Sequence, residues 1–211
     1  MLALVGMGDT NLEAAMRLGI WRLAAVVLAG SCVAGAAWAQ AAGQQAAAPA
    51  KAPDLSPVAN PVSTAVKGQL PRFEKNIVAA AEAMPADKYS YKPTADMNTY
   101  GHLMMHIAQS NNLFCSKIAG TAAPDAKITE TDAKDKLVAA LKDSFAYCTT
   151  ALANVDDAKL SEQMVVFGTR TASRGGVFVM LAGSWTDHYG TQAIYLRLNG
   201  ILPPTAQPKK D

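Results

Sequence analysis

Apolar residues return every three or four positions in four separate stretches of the 211-residue chain, and polar residues fill the spaces between them. The first stretch carries Val62, Val66, Leu70, Phe73, Ile77, Ala80 or Ala81, and Met84, and Pro85 ends it. Pro71 falls inside this pattern; it removes a backbone donor and crowds the preceding turn, so it is expected to kink the helix or divide it in two. From Asp87 to Asp96 the chain is polar, contains Pro93 and has no helical period, which reads as a loop. A second helix begins near Met97 to Thr99 and aligns Tyr100, Leu103, Met104, Ile107, Asn111, Phe114 and Ile118 in a seam of heptad type that Gly120 and Pro124 close.

Thr129 with Asp132 resembles an N-terminal capping arrangement, and a third seam follows through Leu137, Val138, Leu141, Phe145, Cys148, Leu152 and Val155. A more polar connection runs from Asp156 to about Ser173; within it Val165 to Phe167 looks extended but is too short to make a sheet. Gly175-Gly176 leads into the last helix, Val177 to Leu198, with Leu181, Trp185, Ile194, Tyr195 and Leu198 at helical spacing. Gly200 suits a left-handed cap, and Pro203 and Pro204 cannot continue the helix. Four amphipathic helices without a convincing strand pattern predict an all-α domain, a four-helix bundle over residues 61–205 followed by a tail over 206–211.

The residues ahead of this domain carry a different signal. Arg17 and Arg22 precede the short apolar run Leu23 to Ala37, and Ala37-Trp38-Ala39 has the small-x-small form of a signal-peptidase site. Residues 1–39 are therefore expected to be a signal peptide cleaved after Ala39, placing the mature chain in the periplasm or outside the cell. Gln40 to about Asn60 is rich in Ala, Gln and Pro and is expected to be a disordered linker. The net charge of +2 is too small and too scattered for a nucleic-acid partner. Cys115 and Cys148 remain after cleavage, and an oxidising compartment raises the question of a disulfide. If the second and third helices form an antiparallel pair, the two cysteines lie at very different heights, which predicts two buried free thiols.

The chain has three histidines, His102, His106 and His188. His102 and His106 stand one turn apart, a spacing that lets two imidazoles share a metal, although wheel geometry turns His106 toward a groove beside the seam and His102 toward solvent. His188 shares its stripe with Leu181, Ser184 and Tyr195, toward the interior. Leu103-Met104-Met105-His106-Ile107-Ala108, and His188-Tyr189-Gly190 followed by Leu196-Arg197, resemble the signature of the DinB-like superfamily. Ala83-Met84-Pro85, Tyr89, Lys92-Pro93 and the closing Leu-Arg-Leu-Asn-Gly-Ile-Leu-Pro-Pro are similar to it as well.

That resemblance implies a four-helix bundle, often a homodimer, in which three histidines bind a divalent metal, zinc or nickel. One comes from the second helix and two, four residues apart, from the last. Carried over, His106 matches the first and His188 the later of the pair, while Ser184 stands where the other histidine belongs. His102, Asp187 or a water would have to make up the set; Asp187, about 100° round the helix from His188, suits an outer partner better than a ligand.

The activity implied is metal-dependent thiol transfer or hydrolysis of a small molecule, with a low-molecular-weight thiol as cosubstrate. Tyr189 and Arg197 are the candidates for orienting an anionic substrate. The alternative is a non-catalytic bundle that has lost its full ligand set and serves as a binding or stress-related module. A four-helix cytochrome of the c type would need Cys-x-x-Cys-His, which the chain lacks.

Overall fold

The computed structural model describes residues 52–208. The expected signal peptide and most of the linker lie outside the described residues; residues 52–60 are exposed and carry no helix or strand. Four α-helices follow: α1 (Pro61–Ala83), α2 (Tyr100–Ala119), α3 (Lys134–Leu152) and α4 (Arg174–Leu198). Between α3 and α4 two strands, β1 (Gln163–Phe167) and β2 (Arg170–Ser173), pair antiparallel.

The helix seams read from the sequence are the buried faces. Val66, Leu70, Phe73 and Ile77 of α1 pack with Met104, Ile107 and Ile118 of α2, with Leu137, Leu141 and Phe145 of α3, and with Leu181 and Trp185 of α4. Trp185 lies between Phe73 and Phe145, with ring centroids 5.9 and 6.3 Å away. Its indole N–H donates to Asn111 Oδ1 at 2.8 Å, and Asn111 Nδ2 donates to Ser144 Oγ at 3.0 Å, so these three buried polar side chains are linked across α4, α2 and α3. On α4 the pattern was broader than the buried face: Leu181, Trp185 and Tyr195 are covered, but Ile194 and Leu198 are exposed.

Several expectations are corrected. Pro71 does not divide α1, which runs unbroken from Pro61 to Ala83. Thr129 and Asp132 form a turn, with the Thr129 N–H donating to Asp132 Oδ2 at 2.7 Å, and α3 starts only at Lys134. α4 starts three residues early, because Ser173 Oγ caps it by accepting from the Gly176 N–H at 3.1 Å. The strand expectation missed a hairpin: Val165 pairs with Thr171 and Met164 with Ala172, the ladder is irregular between Val165 and Phe167, and Gly168 turns it at φ 52°. The partner run, Arg170 to Ser173, lies just past Gly168 and had been folded into the polar connection.

The largest correction concerns chain direction. Asn111 meets Ser144 and Cys115 meets Cys148, both at a sequence separation of 33, so α2 and α3 run parallel. Residues 120–133 return along α2 from its end to its start, with Asn112 Nδ2 donating to Pro124 O at 3.2 Å and His102 Nδ1 lying 2.7 Å from Glu130 Oε2. Against that return path α1 is antiparallel to α3, since Lys67 reaches Val155 O and Lys134 reaches Met84 O. α4 is antiparallel to α2, with Trp185 at Asn111 and the Tyr195 hydroxyl donating to Asn98 O. In this arrangement Cys115 and Cys148 stand level, their Cα atoms 5.3 Å apart, and form a disulfide. The free-thiol expectation rested on an antiparallel pair that does not exist.

Candidate functional site

His106 sits in the first half of α2 and His188 in the middle of α4, and because these helices cross antiparallel the two imidazoles meet. Their ring centroids are 5.0 Å apart with planes at 89°. His102, one turn before His106, stacks on it at 6.2 Å and 11°. His102 is also held from its other side, by Glu130 at 2.7 Å, so the return connection ties it to the rim.

Ser184, one turn before His188 on α4, places Oγ 3.1 Å from His188 Nδ1. His188 is only 8 % exposed. Burial, reinforced by the neighbouring His106 and opposed by Asp187, pulls its pKa down from 6.5 to about 4, so at neutral pH the ring is uncharged. Burial also lowers the His106 pKa, with His102 adding to the effect and Asp187 opposing it.

His102, His106, Asp187 and His188 line an open cleft of about 330 Å³ between α2 and α4, a volume that suits a small molecule. Asp187 and Thr191 of α4 form one wall, Leu103 lies on the α2 side, and Asp96, Met97 and Asn98 of the preceding loop close one end. Tyr195 pins that loop, its hydroxyl donating to Asn98 O at 2.7 Å. Among the described residues no lysine or arginine lines the cleft.

The sequence candidates thus divide. His106, His188, His102 and Asp187 come together at the cleft, with Ser184 behind His188. Tyr189 and Arg197 are not among the lining residues: the Tyr189 hydroxyl donates to Thr205 Oγ1 at 2.8 Å, and Arg197 donates to Ala193 O. Glu130, Asp96 and Asn98 were not anticipated. Asp96 and Asn98 stand just before a histidine-bearing helix, a position that could have marked them, whereas nothing local in the sequence brings Glu130 to His102.

A zinc or nickel site needs at least three protein donors with matched geometry. Here two imidazoles converge, the third position is a hydroxyl hydrogen-bonded to one of them, and the remaining histidine is engaged by a carboxylate. Among the described residues no three His, Cys, Asp or Glu side chains stand close enough together to hold a metal ion. The residues present do not fit a tightly held divalent metal.

Comparison with known proteins fits this architecture. A family model described as the DinB superfamily matches residues 69–191. Among solved structures, a DinB-like protein from Bacillus subtilis superposes with a TM-score of 0.55 at 24% identity, covering 69% of this chain and 99% of that one. A DinB-like protein from Bacillus cereus ATCC 10987 gives a TM-score of 0.56 at 13% identity, covering 67% of this chain and 95% of that one. Among curated proteins there is no match.

Proposed function

Since the chain belongs to the DinB superfamily, we propose that it is an exported member whose cleft between α2 and α4 receives a small molecule without a tightly bound metal. In this reading it is a binding or stress-related module. The observation that carries it is the contact between Ser184 Oγ and His188 Nδ1 at 3.1 Å, which puts a hydroxyl where a ligating imidazole would complete the set. A hydroxyl competes poorly with imidazole for zinc or nickel at neutral pH. The Cys115–Cys148 disulfide supports export, because such bonds persist in oxidising compartments.

Metal analysis of the purified mature chain, followed by calorimetric titration with zinc and nickel, tests the proposal. The wild type is expected to carry no stoichiometric metal and to bind both ions weakly, and Ser184→His is expected to raise zinc affinity by at least about a hundredfold, the scale of one added imidazole ligand. The second reading, a metal-dependent thiol transferase or hydrolase, has one observation in its favour: the His106 and His188 rings lie close enough, at 5.0 Å between centroids, to bridge through one ion. Tight stoichiometric zinc or nickel in the wild type would decide for it. Self-association as a homodimer belongs to the same proposal and is read directly by sedimentation equilibrium of the mature chain.

A further inference from the structure

We propose that the cleft selects a small organic cation, an ammonium group carrying an apolar flank, over the anionic thiol that the family resemblance suggests. The proposal rests on the reading of this cleft as a ligand site and names the class of ligand. Two acidic residues line it from different elements: Asp187 from α4, whose charge acts on both His106 and His188, and Asp96 from the loop before α2, whose Oδ1 also accepts from the Thr94 hydroxyl. Among the described residues no lysine or arginine lines it to offset them. His102, which also lines the cleft, lies 2.7 Å from Glu130, whose carboxylate offsets any charge on that ring. An anion entering here would meet like charge from Asp96 and Asp187, whereas an ammonium group is attracted by both.

The second observation is a ring nitrogen. His188 is more than nine-tenths buried, yet it lines the cleft, and its one hydrogen bond uses Nδ1, to Ser184. Nε2 is left for a ligand. An ammonium N–H selects the tautomer in which Nε2 accepts and Nδ1–H donates to Ser184 Oγ, and that tautomer satisfies both ring nitrogens. Leu103 and Met97 offer apolar surface beside these polar groups, so the best-matched ligand pairs one charged end with a hydrocarbon body.

Benzylamine and benzoate, similar in size and opposite in charge, are the probes. The mature chain is titrated with each at about pH 8 and low ionic strength, where imidazoles of ordinary pKa are uncharged, by calorimetry and by the ring resonances of His106 and His188. Benzylamine is expected to shift the His188 ring and to bind at least about tenfold more tightly than benzoate, a difference of about 1.4 kcal/mol. Asp187→Asn and Asp96→Asn, each with unchanged thermal melting, are expected to reduce benzylamine affinity several-fold and to raise that of benzoate, since each removes a like charge from the anion's path. Equal or tighter benzoate binding with the same ring shifts overturns the charge preference and leaves the ligand cleft standing. If neither compound moves the ring resonances, the cleft reading itself is overturned.

Discussion

His188 shows how one buried side chain ties stability to pH. Its folded pKa of about 4 lies below the ordinary value of 6.5, so between these values the unfolded chain binds the extra proton. The contribution of the neutral ring is therefore complete above about pH 6.5 and is lost as pH falls toward 4, amounting to roughly 3 kcal/mol. Urea unfolding of the wild type and of His188→Gln across this window checks it: the gap between the two should narrow on acidification, and a constant gap would show that burial does not hold the ring neutral. Gly101 is a second single-residue constraint, since a Cβ there would run into the Glu130 carbonyl of the return connection. Gly101→Ala is expected to destabilise the fold by roughly 1–3 kcal/mol through overpacking and to weaken the hold of Glu130 on His102, visible as a shift in the His102 ring resonances.

At the scale of elements, helix ends are closed by residues distant in sequence. Asp157 accepts from the Val62 and Ser63 N–H groups at 2.9 and 2.8 Å and so caps α1 from beyond α3. Although partial desolvation pushes the other way, these bonds hold its carboxyl below the usual range, so this cap strengthens above the unfolded carboxylate pKa and fails as pH drops through the folded one. Arg174, at the start of α4, donates to the Ile118 carbonyl at the end of α2 and to Glu162 Oε2 at 2.6 Å. Arg174→Ala should cost roughly 1–3 kcal/mol by leaving the part-buried Ile118 carbonyl without its donor, with hydrogen exchange speeding up over the last turn of α2.

The seams of α1, α2 and α3 were legible because each is a single apolar stripe at regular spacing. α4 was legible only in part, since its apolar residues extend around to the exposed Ile194 and Leu198. The hairpin escaped because its second strand, Arg170 to Ser173, is polar and becomes visible only as a partner to Val165 and Met164. His106 and His188 could be singled out from motif and stripe, but Ser184 Oγ on Nδ1 and Glu130 on His102 depend on rotamers and on a return path that helical periodicity does not encode.

For the whole molecule, the relative direction of the helices governs stability as well as the site. The disulfide joins α2 to α3 across a sequence separation of 33 residues, for which loop-closure entropy gives about 4 kcal/mol of stabilisation. Replacing Cys115 and Cys148 together by alanine should lower unfolding free energy by that order, and alkylation of the denatured mature chain without reductant should label neither cysteine. Labelling of both would return the molecule to the free-thiol description and remove one support for export.

Helices lying side by side in the same direction cannot zip up from a tight turn. The backbone has to travel the length of α2 and lay residues 120–133 in place before Ser144 can find Asn111. The sulfur pair comes into register once that crossover is closed, a span of 33 residues, whereas α4 reaches Asn111 and Ile77 over 74 and 115 residues, so loop closure favours pairing of α2 with α3 before α4 docks. Oxidation at that stage would fasten two helices while the longer search for α4 is still open, so the bond would guide the remaining steps and not merely record them.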